Sequence, residues 1–291
     1  MVRFVRRSRI AFVGGNKGDV KSLLNRPNQL DRRSESWRPP LFGPIRSGRD
    51  RLLAAARRFL DLQAGSIWRD LNQIVPGCRG LILDVGCGAQ PFRSLIPAAA
   101  TYHGLDYSGA RTNFGYSMPE TTYYEGDRWP IDDTTADVVL CTETLEHVPD
   151  PSAFLSEAFR CLKPGGRILL TVPFAARWHF IPHDYWRFTP SSLELLLGAA
   201  GFTDIAVYAR GNALTVACYK VMALFLPLLL PQQGSLWKRF AIRCVGLLAL
   251  PFVIMLAAIA NLSLRSKGGD DCLGYTAVSV RPVDLAKNDT K

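Results

Sequence analysis

Three acidic residues, each expected at the end of a strand, are the first candidates for chemistry in this sequence. Asp84 lies near the end of the apolar run in "GLILDVGCG" and is followed by Gly86 and Gly88. Asp106 ends a second run, "YHGLDYS", and Asp127 follows a third in "EGDRWP". Because the carboxyl ends of parallel strands meet at one edge of a sheet, these groups are expected to surround one ligand.

The residue types favour a cofactor that carries no phosphate. A dinucleotide fingerprint would place a small residue at position 91, where Pro91 has no N–H to donate and fixes the backbone. Asp84, expected to point into the site, would also repel a phosphate. A cationic cofactor such as S-adenosylmethionine fits better, with Asp106 accepting hydrogen bonds from the ribose hydroxyls and Asp127 near the adenine.

Strand-like and helix-like segments alternate from Arg49 onwards, which predicts a parallel sheet with helices on both faces. Helices are expected before the first strand, after Gly88, after Ser108, across 151–162 and across 191–200, with a turn at "KPGG". The expected strands are residues 81–85, 101–106, 122–125, 137–142, 167–172, 202–209 and 274–282.

Four segments together resemble one enzyme family. "LDVGCG", "GLD", "EGDRWPIDDTTADVVLCTETLEHVPDP" and "EAFRCLKPGGRILLTVPF" are similar to the class I S-adenosylmethionine-dependent methyltransferases of the type 11 group. The similarity covers roughly residues 80–202 and the final strands. It implies a seven-stranded, Rossmann-like α/β sheet with helices on both faces and an antiparallel last strand, and it implies that the chain is a methyltransferase.

The resemblance also implies a set of residues around S-adenosylmethionine: Asp84, Gly86, Gly88, Asp106, Asp127, Trp129, Thr142 and Glu143. The glycine turn after the first strand would hold the methionine part. Asp106 would bind the ribose and Asp127 the adenine amino group, with Trp129 packing on the ring. Thr142 and Glu143, just past the fourth strand, would border the site.

The methyl acceptor is expected near "HFIPHDYWRFTP", which follows the fifth strand. A hydroxyl acceptor needs a base, and the candidate catalytic residues are His183, Asp184 and Arg187 of this segment. His147 of "LEHV" is a further candidate for proton transfer, although in the resembling proteins it is mainly a structural residue and part of the site wall. The alternative is that the aromatic side chains of the segment plug the loop onto the core while Arg187 pairs with a carboxylate.

No metal is expected at this segment. His179 and His183 are four residues apart, as helical metal ligands often are, but Pro182 disfavours a helix. No neighbouring carboxylate or cysteine is expected to complete a ligand set. The seven cysteines are scattered without a CxxC pair, which is typical of buried thiols in a reducing, intracellular compartment.

Positive charge is concentrated at the N-terminus. Residues 1–60 hold fifteen Arg or Lys against four Asp or Glu, whereas the whole chain has a net charge of +10. Residues 1–48 are expected to form a largely disordered basic extension, with an anionic membrane face or nucleic acid as its alternative partners. A nucleic-acid acceptor is disfavoured, because charge gives affinity without specificity and no Asn/Asp-Pro-Pro-aromatic motif follows the fourth strand.

A hydrophobic insertion separates the last two strands. Residues 212–271 contain an uncharged run from Cys244 to Leu264 that is long enough to cross a bilayer. A single crossing is excluded if the flanking strands pair in one sheet, and two crossings would carry basic residues outside. We expect a helical hairpin that lies on or dips into the cytoplasmic leaflet, or that packs against the domain or a second subunit.

The expected organisation is a methyltransferase domain at 49–211 and 272–283, the hairpin at 212–271, the extension at 1–48 and a tail at 284–291. The expected function is methyl transfer, on oxygen, to a small-molecule, glycan or lipid-linked acceptor. "DYWRFTP" resembles a segment of type 11 members thought to act on bacterial surface glycans or their lipid-linked precursors. The alternatives are a nicotinamide-dependent oxidoreductase, disfavoured by the proline in the glycine turn, and a catalytically silent scaffold that binds the cofactor at a membrane.

Overall fold

A seven-stranded sheet forms the centre of the computed structural model, which describes residues 47–115 and 117–283. The strands are β1 (Gly80–Val85), β2 (Ala100–Tyr107), β3 (Thr121–Tyr124), β4 (Ala136–Thr142), β5 (Leu162–Pro173), β6 (Thr203–Arg210) and β7 (Gly274–Val280). Their order is β3-β2-β1-β4-β5-β7-β6, and β7 alone runs antiparallel to the other six strands. The predicted fold class is therefore confirmed. The predicted extension, but for its last two residues, and the tail at 284–291 lie outside the described residues.

Seven helices accompany the sheet in the described part of the chain. They are α1 (Gly48–Leu60), α2 (Leu62–Ile74), α3 (Ala110–Phe114), α4 (Pro151–Cys161), α5 (Pro190–Ala199), α6 (Ala213–Leu229) and α7 (Leu236–Ser263). The predicted helices at 151–162 and 191–200 are confirmed. Each begins with a proline after a side-chain cap, from Asp150 for α4 and from Thr189 for α5.

The helix predicted after Gly88 is wrong, because the segment up to β2 forms turns and one short 3-10 helix, Arg93–Leu95. Gly88 and Gln90 both have positive φ angles, +51° and +54°, which no α-helix accommodates. The proline between them and the 3-10 helix removes a further donor.

The segment "KPGG", predicted as a turn that precedes the fifth strand, lies within that strand. Strand β5 already begins at Leu162, which pairs with Ala136, and the register then shifts so that Arg167 pairs with Val138. Gly165 supplies the left-handed φ of +80° that this irregularity needs. The glycines thus form a bulge within a longer strand.

Two hydrophobic clusters pack on the sheet and hold the strand ends in place. On one face, α4 and α5 contribute Phe154, Leu155 and Leu193 to the larger cluster. On the other face, Ile67 and Leu71 of α2 pack on side chains of β1, β4 and β5. Five of the seven cysteines are buried as predicted, whereas Cys78 is half-buried and Cys244 is exposed.

Helices α6 and α7 form the predicted hairpin between β6 and β7. These two strands pair antiparallel, with Arg210 opposite Gly274, so the hairpin leaves and rejoins the sheet at the same place. One crossing of a membrane is therefore excluded. A third hydrophobic cluster joins the hairpin to the domain, with Met222, Val253 and Ala257 of the hairpin against Leu62 and Leu273.

Candidate active site

A cavity of about 640 Å³ opens at the carboxyl edge of the sheet. Strand β1 lies between β2 and β4, so the chain order reverses here and the loops above it diverge. The volume is within the range of small-molecule sites. Six of the residues expected from the sequence line the cavity: Gly86, Gly88, Asp106, Thr142, Glu143 and His147.

The glycine turn and Asp106 form the side of the cavity that suits the cofactor. The Asp106 carboxylate accepts hydrogen bonds from the Gly88 amide (2.9 Å) and from the Tyr107 amide (2.8 Å). Burial raises the pKa of Asp106, while these two amides oppose the shift. Each oxygen keeps acceptor capacity for one more donor, as two neighbouring ribose hydroxyls require. Gly86 has a φ of +70°, and a Cβ there would lie 2.2 Å from the Thr144 Cγ2 atom.

Asp84 does not point into the cavity, which corrects the prediction made for its side chain. The residue is buried, and its Oδ2 atom accepts a hydrogen bond of 2.8 Å from the Tyr102 hydroxyl. Its Oδ1 atom has no hydrogen-bond partner within the described ranges. Burial raises the pKa of Asp84 to about 7, against the lowering effect of the Tyr102 hydrogen bond. Gly86 and Gly88 line the cavity, whereas the Asp84 side chain is bound to Tyr102 of the neighbouring strand.

The two residues expected to contact the adenine, Asp127 and Trp129, both lie outside the lining of the cavity. Asp127 is exposed beyond the end of β3, outside the lining of the cavity. Trp129 is buried, with its ring edge-on to Phe154 at a centroid distance of 5.0 Å, and its amide donates to Glu157. Trp129 therefore lies in the core and outside the lining of the cavity, and its packing on the adenine ring stays a prediction.

Glu143 borders the cavity as expected, and Arg210, a residue to which the sequence assigned no role, holds it there. The buried guanidinium of Arg210, at the end of β6, donates to the Glu143 Oε1 atom at 2.7 Å and to the Val172 carbonyl at 3.0 Å. Glu143 has a φ of +48°, and its amide donates to the Thr171 carbonyl. Only the pairing of β6 beside β7 brings this arginine near the end of β4.

Asp184 and Arg187 pair with each other in the segment after β5. The guanidinium donates to both carboxylate oxygens, at 2.6 and 2.8 Å. Although burial opposes it, hydrogen bonds from Arg187 and His179 hold the pKa of Asp184 well below its usual range. The two side chains lie outside the lining of the large cavity. This geometry argues against Asp184 as a base and favours the packing alternative for this pair.

His147 and His179, rather than His183, are the histidines on the cavity wall. The His183 ring lies near the Tyr185 hydroxyl. The backbone carbonyl oxygen of His183 is 2.6 Å from the Nδ1 atom of His147. Burial, followed by the proximity of His179, lowers the pKa of His147 to about 4. His147 is therefore neutral near pH 7. Of the two histidines predicted to be catalytic, His147 therefore lines the cavity, whereas His183 lies outside the lining and contacts His147 through its backbone carbonyl.

Further lining residues come from elements to which the sequence gave no chemical role. The α1–α2 region contributes Arg58 and Trp68, which stack at 4.2 Å, and the hairpin contributes Tyr219 and Gln232. Helical spacing predicts α1 and α2, but nothing in the spacing indicates which of their faces meets the cavity. The hairpin is therefore part of the site and not only an attachment to it.

The reversed strand order, the glycine turn over β1 and the buried Asp106 together define a class I S-adenosylmethionine-dependent methyltransferase. A family model described as "Methyltransferase domain" matches residues 45–207, more than half of the chain, and the chain belongs to that family. Its cofactor is S-adenosylmethionine, which supplies a methyl group activated on a sulfonium. Gly86, Gly88 and Asp106 are the residues of the cavity that fit it.

Several known proteins are similar to this chain. The ubiquinone biosynthesis O-methyltransferase of Idiomarina loihiensis is 30% identical over 158 residues, which are 43% of this chain and 63% of that protein. The corresponding enzyme of Psychrobacter arcticus is 28% identical over 156 residues, 42% and 58% of the two chains. A methyltransferase structure from Archaeoglobus fulgidus superimposes with a TM-score of 0.45 at 18% identity, covering 79% of this chain and 99% of that one. The chain thus spans about 60% of the length of these curated relatives.

Proposed function

We propose that this methyltransferase transfers its methyl group to an oxygen atom of an acceptor that is held at a membrane by a lipid portion. The observation that carries the proposal is the double role of the hairpin α6–α7. It contributes Tyr219 and Gln232 to the cavity, and it presents an apolar outer surface. An acceptor bound there can reach the cofactor without leaving the lipid surface.

The outer surface of the hairpin supports the membrane part of the proposal. Leu224 of α6 is 72% exposed, and Trp237 and Leu248 of α7 are 83% and 84% exposed. Among the described helices, α7 alone is long and apolar enough to cross a membrane, yet only 17% of its apolar window is buried within the protein. Exposed apolar patches of this kind mark interaction or membrane surfaces. We place the protein on the cytoplasmic membrane face, with the hairpin lying in the interface.

Oxygen as the accepting atom is supported by the relatives, since several of them are named ubiquinone biosynthesis O-methyltransferases. The catalytically silent scaffold finds no support, because the cavity and the family both indicate an enzyme. A soluble small molecule and a surface glycan are the other outcomes of the experiment below.

The experiment measures transfer of a labelled methyl group to the membrane and soluble fractions of a lysate, followed by mass spectrometry of the labelled product. We expect label in an O-methylated lipid-soluble product, and flotation of the protein with anionic phospholipid vesicles that high salt weakens only in part. The double variant Leu224→Glu, Leu248→Glu should lose flotation and membrane-fraction labelling by about tenfold or more, because charge in the apolar interface is unfavourable.

The matched control is Leu195→Glu, which places the same charge at a leucine that is 73% exposed but belongs to α5 and not to the hairpin. It should float and label as the parent does. Label confined to the soluble fraction, or a parent protein that never floats, would rule out the lipid-held acceptor.

A further inference from the structure

Three side chains with metal-binding atoms converge beside the wall of the cavity. Glu146, His147 and His179 each offer one ligand atom, and these atoms lie within 4.8 Å of one another. His147 and His179 line the cavity, while Glu146 is fully buried behind them. The group joins the loop after β4 to the segment after β5, 32 residues further along the chain.

Hydrogen bonds fix the tautomers of both histidines. The Nδ1 atom of His147 is 2.6 Å from the carbonyl oxygen of His183, which can only accept, so Nδ1 carries the proton. The Nδ1 atom of His179 is 2.9 Å from the Asp184 Oδ2 atom and 3.1 Å from the Arg177 carbonyl oxygen, which are also acceptors. Because Nδ1 is engaged in both rings, Nε2 is the atom that each histidine can offer to a metal ion.

The third member, Glu146, has a buried carboxyl group without a donor. Neither of its oxygens has a hydrogen-bond partner in the part of the chain that the structure describes. Its Oε1 atom is 3.7 Å from the Nε2 atom of His147, too far for a hydrogen bond. Two imidazole Nε2 atoms and an unpartnered, fully buried carboxyl group thus meet at one place. Buried polar groups without a partner are unfavourable, and a bound cation would satisfy all three.

We propose that Glu146, His147 and His179 bind a divalent transition-metal ion on the wall of the cavity. Two histidines and one carboxylate are a ligand set of catalytic zinc and of other open transition-metal sites. Both rings are held through Nδ1 by an outer acceptor, as metal-binding histidines usually are. Asp184 is therefore a positioning residue for His179, and Arg187 holds Asp184. The nearby carboxylate of Glu143 is occupied by Arg210.

The role of this ion rests on the proposed transfer to oxygen. Bound on the cavity wall, it would hold the acceptor hydroxyl and lower its pKa. The hydroxyl proton leaves to solvent, and the oxygen forms its bond to the methyl carbon as the carbon–sulfur bond breaks. The sulfonium becomes a neutral thioether. No separate base on the protein is then required.

The test titrates Co²⁺ into the full chain after treatment with a chelator, following ligand-field absorption, and Zn²⁺ by calorimetry. We expect one equivalent of either ion and a rise in the melting temperature on binding. Glu146→Gln and His179→Asn should each weaken binding at least about tenfold, and Asp184→Asn about ten- to a hundredfold. His183→Asn changes the histidine of the same loop whose ring is outside the group, and it should retain one equivalent.

Binding of S-adenosylmethionine by each variant checks that it is folded, since no member of the group touches Asp106. Equal Co²⁺ binding by the parent and Glu146→Gln would overturn the proposal, as would a parent that binds no ion. In the second case Glu146 holds a proton instead. A parent that binds one ion at these ligands but methylates no oxygen would support the metal site and contradict only the proposed function.

Discussion

Asp106 is the residue on which cofactor binding depends most directly, because its carboxylate borders the cavity and accepts from two backbone amides. We expect Asp106→Asn to weaken S-adenosylmethionine binding by about 1.5–3 kcal/mol, through loss of charge-assisted hydrogen bonds to the ribose. Calorimetry measures the change. Asp132→Asn, at an exposed site, is the matched control and should bind as the parent does. Undiminished affinity in Asp106→Asn would move the ribose elsewhere.

Asp84 gives a prediction about pH. Burial raises its folded-state pKa to about 7, against an unfolded value near 3.8, so the folded state favours the protonated form. The stability that this provides is present below about pH 4 and is lost as the pH rises through 7. In urea unfolding of the cofactor-free protein, Asp84→Asn should therefore gain stability relative to the parent between pH 5 and pH 8, on the order of a few kcal/mol. A constant difference between the two proteins across this range would contradict the assignment.

For single residues, the sequence predicted the positions at strand ends and glycine turns better than the directions of side chains that pack against a neighbouring strand or across the core. Gly86, Gly88 and Asp106 follow from strand ends and glycine spacing, and all three line the cavity. The side-chain direction of Asp84 depends on Tyr102 of the neighbouring strand, and the place of Trp129 depends on Phe154 across the core. A pattern in the local sequence cannot predict contacts between residues on different elements.

The group proposed to bind a metal ion illustrates the same limit. From the sequence, no carboxylate in the segment of His179 and His183 is expected to complete a ligand set with them. The carboxylate belongs to Glu146, which precedes His147 in a different loop, and only the parallel pairing of β4 with β5 brings the two loops together.

At the scale of elements, the contact between α6 and α7 depends on one glycine. A Cβ at Gly246 would lie 2.7 Å from backbone atoms of Leu228, so the helices could not keep their present separation. We expect Gly246→Ala to destabilise the protein by about 1–3 kcal/mol, in spite of the better helix propensity of alanine. Thermal unfolding measures the effect. Gly77→Ala is the control, because nothing lies within 4 Å of the added methyl group there.

The elements themselves were largely predictable from periodicity and end signals. All seven strands were expected near their observed positions, and α4 and α5 begin at the prolines that mark them. The loop after β1 was not, because alternation of strands with helices suggested a helix where Gly88 and Gln90 take positive φ angles. In this loop, a proline and two residues with left-handed backbone angles prevent the helix that the alternation of strands and helices suggests.

For the whole molecule, sequence and structure agree on a sheet interrupted by an apolar hairpin, but only the structure shows that the hairpin completes the site. Tyr219 and Gln232 lie within the insertion and still line the cavity at the carboxyl edge of β1. The hairpin is thus one wall of the cavity. A change in the hairpin is therefore expected to alter the choice of acceptor and, on the membrane attachment proposed above, the location of the protein as well.

The position of β7 between β5 and β6 has a consequence for how the chain is made. During synthesis, β6 emerges first but has no neighbour, because β7 must fill the gap between it and β5. The more than sixty residues of the hairpin region leave the ribosome before that strand does. The most apolar part of the chain is thus exposed while the sheet is still incomplete, and this is the stage at which a nascent chain meets chaperones or a lipid surface. The order of strands therefore allows the hairpin to contact a chaperone or a lipid surface before β7 completes the sheet.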